Sequence, residues 1–294
     1  MHKINRLKMK KFLRTLTALV VFCTMLSSCS SEKDDVQTEQ SINSCFEYVT
    51  DLSNGTEAYY ENLGYAIRLN YTKNTAEIAI LGLKLCDGTE YPTVVLNDLP
   101  FAFDQDGWIN INGKDVNPNI PGVAAKPLFN SVKVRLLHRM LETDYIPVFM
   151  VKMTINHRYS ITSAPTTQLI WGNTTSTDAE GTAFTTDKTV YRLNFNINTR
   201  TVNVLMGAAS FIGGMPAMDI EMREIPFSVS GENVTFAKPF LTPYIGDTPY
   251  ERFPITDVKG ELVLDKGMEL EFVCTPGSMG GSRYEVEFEG SFSE

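Results

Sequence analysis

The sequence predicts an all-β fold built as two tandem antiparallel β-barrels or β-sandwiches of about 120 residues each. Three observations point there. The chain repeats itself at a nearly fixed offset. Its apolar residues alternate with polar ones. Turn residues fall at matching places in both copies.

The repeat is the strongest of the three. Leu69-Asn70-Tyr71-Thr72-Lys73-Asn74-Thr75 recurs as Leu193-Asn194-Phe195-Asn196-Ile197-Asn198-Thr199. Further on, Leu99-Pro100-Phe101 matches Ile225-Pro226-Phe227, Val132-Lys133 matches Val258-Lys259, and Arg158-Tyr159 matches Arg283-Tyr284. The offset stays between 124 and 126 throughout, which sets two copies at 44–164 and 165–294.

Within each copy the period is two. Tyr191, Leu193 and Phe195 share one strand face, with Arg192 and Asn194 on the other. Phe149, Val151, Met153 and Ile155 alternate in the same way, as do Met268, Leu270 and Phe272. Asn74-Thr75 and Asn198-Thr199 supply hairpin turns, and Asp104–Gly107 and Ser230–Asn233 supply another matched pair. Seven or eight strands per copy, joined by short turns, make an antiparallel meander.

Ahead of the repeats stands a leader, residues 1–28. Lys3, Arg6, Lys8, Lys10, Lys11 and Arg14 form a basic start, and Leu16–Leu26 an apolar core too short for a permanent span. Leu26-Ser27-Ser28-Cys29 reads as a lipoprotein cleavage site that leaves Cys29 lipidated. The alternative is a plain secretory leader. Residues 29–43 read as a flexible acidic tether, opened by Ser30-Ser31-Glu32-Lys33-Asp34-Asp35. The location expected is the outer membrane, lipid-anchored and cell-surface exposed.

The chain holds 26 Lys+Arg against 35 Asp+Glu; without the leader's six basic residues the balance is 20 to 35, a formal −15. Such a surface excludes nucleic acid as a partner. Cys45, Cys86 and Cys274 remain after the leader and Cys29. Either Cys45 and Cys86 form a bridge or each is a small buried apolar residue.

Leu193–Thr201, Gly214-Met215-Pro216 and Ile225-Pro226, in a lipoprotein and in repeated form, resemble the calycin-like β-barrel lipoproteins of Bacteroidetes. The resemblance implies calycin- or lipocalin-like barrels across most of each copy. Its motifs are turns and core positions, so it brings no active site. The first copy departs from the pattern at Thr89-Glu90-Tyr91-Pro92.

Candidate sites are few. Trp108 and Trp171 are candidate ligand platforms, since an exposed indole offers a flat apolar face to a sugar; core packing is the competing use. Tyr59, Tyr60 and Tyr91 are weaker candidates in loop-like neighbourhoods. Asp104-Gln105-Asp106-Gly107 reads as a turn or a small calcium loop. His138 and His157 read as core or rim histidines, His157 following Ile155 on the apolar face. Glu285, Glu287 and Glu289 form a solvated stripe. The long connections Gly113–Asn130 and Ala237–Pro254 either carry binding or plug a barrel end. No nucleophile elbow, phosphate loop, dinucleotide fingerprint or HExxH motif occurs, so no catalytic residue, metal ligand or cofactor is assigned.

The function expected is therefore that of a non-catalytic surface lipoprotein, joined to the membrane through Cys29, that binds an extracellular glycan or small apolar molecule. The alternatives are a structural, adhesion or assembly subunit that presents β edges or loops to another protein, and a hydrolase with an unrecognised site, which convergent titratable residues in a cleft would mark. A lined cavity or aromatic platform marks the first, filled interiors with an apolar surface the second.

Overall fold

The computed structural model describes residues 37–141, 144–277 and 281–292. The leader, Cys29 and the Ser30–Asp35 cluster lie outside the described residues.

β1 (Gln37–Asp51), β2 (Thr56–Asn70), β3 (Thr75–Lys84), β4 (Glu90–Phe103), β5 (Ile109–Val116), β6 (Phe129–Leu141), β7 (Asp144–Ile155) and β8 (Tyr159–Pro165) pair in sequence order. β8 returns antiparallel to β1 and closes a barrel. The second half repeats this with three small additions. β9 (Thr167–Asp178) carries the short β10 (Ala183–Thr186) and pairs with β11 (Val190–Asn196); β12 (Thr201–Ala209) and β13 (Met218–Ser230) follow. Next come β14 (Asn233–Leu241), the two-residue β15 (Tyr244–Ile245) and β16 (Thr248–Pro249), then β17 (Ile255–Val263), β18 (Gly267–Cys274) and β19 (Tyr284–Ser291). β19 closes on β9, so eight strands again form a ring. The choice between barrel and sandwich falls to the barrel, which leaves no open sheet edge in either ring.

The expected tether to residue 43 is shortened. β1 begins at Gln37, because Gln37–Ile42 find backbone partners along Asn70–Tyr65 and Ile42 is buried.

Matched positions do matched work. Asp98 on β4 and Glu224 on β13 both take positive φ (54° and 56°) and both interrupt the pairing of their strands with the preceding one. Beyond these bulges β4 keeps only three pairs with β5, and β13 only four with β14. The long connections patch the resulting splay. Asn119 exchanges two backbone hydrogen bonds with Val95 (2.9 and 2.7 Å), and Tyr244 pairs with Glu221 at the equivalent place. In the second barrel Lys238 Nζ adds bonds to the carbonyls of Arg223 and Glu224, each 3.1 Å. These loops therefore mend the sheet, and each also sends an apolar side chain into a core, Ile120 in the first barrel and Phe253 in the second.

Side chains fill the interiors. Tyr65, Phe129, Phe149, Ile67 and Ile78 are fully buried in the first barrel, with the Tyr65 and Phe149 rings 4.9 Å apart. Tyr191 and Phe288 pack in the second, where the Tyr191 hydroxyl lies 3.0 Å from Thr174 Oγ1. Cys45, Cys86 and Cys274 are free. Cys45 faces the first interior, while Cys86 Sγ sits 3.4 Å from the Val49 carbonyl, so the bridge considered from the sequence is not formed.

Candidate binding surfaces

Call the end of each barrel that carries the β2–β3 or β11–β12 turn its rim. The rim of the second barrel rests on the outer wall of the first. Phe46 and Tyr48 project outward from β1, opposite in sense to Cys45 and Val49. The Phe46 ring lies 5.5 Å from that of Phe195. Tyr59 stacks near Tyr48 (5.0 Å) and meets Phe227 edge-on at 6.4 Å. Its hydroxyl accepts the Val229 N–H at 3.3 Å, and Arg200 covers its ring at 4.6 Å.

Charge fixes the register of this seam. Arg135 on β6 donates to Asp265 at 2.8 Å and to Asp104 at 2.9 Å, with its guanidinium 4.5 Å above Trp108. Lys152 donates to Glu232 at 2.9 Å, which holds the Glu232 carboxyl below its ordinary range. Several aromatics in a dry seam with a shared cation make a stable joint.

This joint decides the fate of the expected platforms. Trp108 is only 5% exposed and packs in the seam; Tyr59 is partly buried there. Tyr60 donates its hydroxyl to the Leu85 carbonyl (3.0 Å) and packs on the first core, as does Tyr91. Trp171 is half-buried on β9, opposite Val190 and Ser291. The structure does not bring these five side chains together at one surface.

Asp104 is the anchor of a turn. Its Oδ1 accepts the backbone N–H of Trp108 (2.8 Å) and Asp106 (3.1 Å), while its Oδ2 takes Asn110 and Arg135. N–H donors thus use both oxygens. His157 is displaced from the apolar face expected of it. Asn156 and His157 both have positive φ (51° and 52°), so they form the tight β7–β8 turn and His157 is exposed. Asn130 holds it, through Oδ1 to the backbone N–H (2.6 Å) and Nδ2 beside the ring (2.8 Å). The backbone of His138 pairs with Pro147; its side chain lies outside the described residues.

Besides a cleft of about 630 Å³ on the first barrel among Asn97, Asn112, Lys114 and Lys133, two open surfaces bear on binding, and neither reads as a site from the sequence. One is the outer wall of the second barrel. A cleft of about 630 Å³ is lined by Ser228, Thr235, Lys259, Glu261, Glu269 and Glu271. A second of about 730 Å³ and a third of about 310 Å³ adjoin it through Glu269 and Glu289. Cross-strand register sets Glu261 against Glu269, Glu269 against Glu289, and Glu271 against Glu287. Like charges directly opposite cost stability, so this wall is electrostatically unfavourable for the fold. The stripe at Glu285–Glu289 was visible; its two neighbouring rows required the register.

The other is the rim of the first barrel. Tyr71 and Phe103 lie parallel (6° between planes, 6.5 Å between rings) over Phe101, which meets both edge-on. Phe103 is 58% exposed. The Leu69-Asn70-Tyr71 and Leu99-Pro100-Phe101 repeat motifs lead straight to this rim.

A different feature is hidden inside the first barrel. Glu47 shares the inner face of β1 with Cys45 and Val49 and is fully buried. Neither carboxyl oxygen has a hydrogen-bond partner, nor does the Tyr65 hydroxyl near it. Ser163 donates instead to the Phe46 carbonyl at 2.6 Å. Burial pushes the Glu47 carboxyl from 4.5 up to about 8, with the Lys84 backbone and charge offsetting only part. Among the described residues no group of three or more His, Cys, Asp or Glu is arranged to hold a metal ion.

No family model matches the chain, and no curated protein matches it. Among solved structures, the chain is similar to a double mutant of the vaccine antigen transferrin binding protein B from Haemophilus parasuis Hp5. Identity is 6%, the match covers 87% of this chain and 77% of that one, and the TM-score is 0.23. A likeness at that level carries no argument about what this chain does.

Proposed function

We propose that this chain is a non-catalytic, lipid-anchored binding protein of the outer cell surface, in the manner of the calycin-like barrel lipoproteins it resembles. Its ligand is an extracellular glycan, taken on the outer wall of the second barrel. Cys29 carries the anchor, residues 30–36 form the tether, and the two repeats form the rigid body.

The observation that carries this reading is the continuous run of clefts through Glu269. It offers carboxylates and the hydroxyls of Ser228 and Thr235 to a polyhydroxylated ligand, with Pro226 and Gly260 also lining the first cleft. A small apolar molecule is disfavoured as the ligand, because aromatic side chains occupy the barrel interiors.

The test is a glycan array with the soluble body, residues 37–294, followed by titration calorimetry on any hit. Glu269→Gln is expected to weaken binding about tenfold, the loss of one charge-assisted hydrogen bond, while raising stability by about 0.5 kcal/mol through relief of two like-charge pairs. No binding across the array would overturn the glycan reading and favour the structural one, which the filled interiors also suit.

A further inference from the structure

We infer that the rim of the first barrel, Tyr71 and Phe103 over Phe101, seats in the interfacial layer of the bilayer that holds the protein. The inference rests on the proposed lipidation of Cys29 and goes beyond it, since a tether alone leaves the body free to face any way.

Chain geometry supplies the first argument. The described chain begins at Gln37, which pairs with Asn70, the residue before Tyr71. The body is therefore tethered at the very rim that carries the aromatics. Cys29 is eight residues upstream, and eight residues span at most roughly 29 Å fully extended. That length keeps this rim within reach of the bilayer surface.

The second argument comes from the sister barrel. Phe195, Phe227 and Val229 occupy the places of Tyr71, Phe101 and Phe103, by strand, order and spacing. There the trio is covered by Phe46, Tyr48 and Tyr59 and is at most 7% exposed. In the first barrel Phe101 is as buried as Phe227, but Tyr71 is half-buried and Phe103 stands open at 58%. A second copy is a poor cover. The apolar wall of the first barrel is taken by its own second barrel, and the wall of the second carries glutamates.

Chemistry supplies the third. Aromatic side chains with one wet edge favour the membrane–water interface. Lys73 flanks the pair on one turn and Asp106 on another, both exposed, so among the described residues one charge of each sign borders it, which suits a zwitterionic surface.

The test uses the full mature lipidated protein in phosphatidylcholine vesicles, with and without brominated acyl chains, which quench tryptophan on contact. Mass spectrometry of the mature protein reads acylation at Cys29 separately, so loss of the anchor and loss of the rim contact are distinguishable. Phe103→Trp and, as a second probe, Tyr71→Trp are expected to lose emission in brominated vesicles beyond the loss of the parent's Trp108 and Trp171. Phe240→Trp, at an equally exposed position on the second barrel, is expected to lose none. An acylated protein whose probes at 103 and 71 are quenched no more than the one at 240 would overturn the inference and leave the rim to a protein partner.

Discussion

Replacing Glu47 by Gln removes a carboxyl from the first barrel's interior while keeping its volume. In the folded chain burial raises this carboxyl to about 8, with neither oxygen paired and Lys84 Nζ committed to Glu90 at 2.6 Å. In the unfolded chain the group titrates near 4.5. Between these values the folded state holds the extra proton, so stability falls as pH rises from 4.5 to 8 and its contribution is intact only below 4.5. At 1.36 kcal/mol per unit, the loss reaches about 3 kcal/mol at pH 7 and levels off near 5 kcal/mol above pH 8. That is a large share of the stability of an ordinary domain. Glu47→Gln carries no such slope. The assay is denaturant unfolding of both proteins from pH 4 to 9, read as the difference in midpoint at constant m-value. The carboxylates whose values are lowered, such as Asp51 and Asp87, titrate in both proteins and cancel. The variant should match the parent at pH 4 and gain steadily to pH 8. A difference that stays constant with pH refutes the reasoning, because it would mean Glu47 is paired or ionised in the fold.

Arg135→Met keeps the apolar stem but leaves Asp265, 9% exposed, without its cation. Unfolding by urea should show a loss of about 2 kcal/mol, and Asp265→Asn added to it should recover part of that loss. Gly260→Val should cost about 2 kcal/mol, because a Cβ there falls inside the Phe236 ring that crosses it. The first barrel places Ile111 opposite Val134 at the equivalent pair, so Phe236→Ile combined with Gly260→Val should restore most of the loss in a double-mutant cycle.

Strand order and duplication were legible because period-two alternation and turn residues are local signals. Ring closure, β8 to β1 and β19 to β9, was not, since the pairing residues lie more than a hundred positions apart. The missed site features share a cause. In Cys45-Phe46-Glu47-Tyr48-Val49 both faces are apolar, the signature of a strand covered on both sides. Read at period two, it sets Glu47 inside with Cys45 and Val49, and Phe46 with Tyr48 outside against a partner. Trp108 reads as a platform from the sequence because a turn precedes it; only the Arg135–Asp265 bridge reveals what lies over that turn. His157 was misplaced because alternation was carried through Asn156, where the chain reverses.

The duplication also bears on which barrel surfaces can stack. A rim that fits a wall is a heterologous contact, and a tandem repeat that kept both surfaces would propagate head to tail. The second barrel's wall has been rewritten against that. Register puts Asn173 and Thr175 where the first barrel has Phe46 and Tyr48, and Glu269, Glu287 and Glu289 where it has Met150, Thr162 and Ala164. The reversal extends to the charges that set the register. Arg135 and Lys152, which receive Asp265 and Glu232 of the docked rim, are replaced by Glu261 and Glu271. Any further rim that presented carboxylates as Asp265 and Glu232 do would meet Glu261 and Glu271 here, and burying the surrounding glutamates, with Lys259 the cation set opposite Glu271, would cost stability. The same wall is thus a poor seat for another rim, and its clefts lie open in the structure.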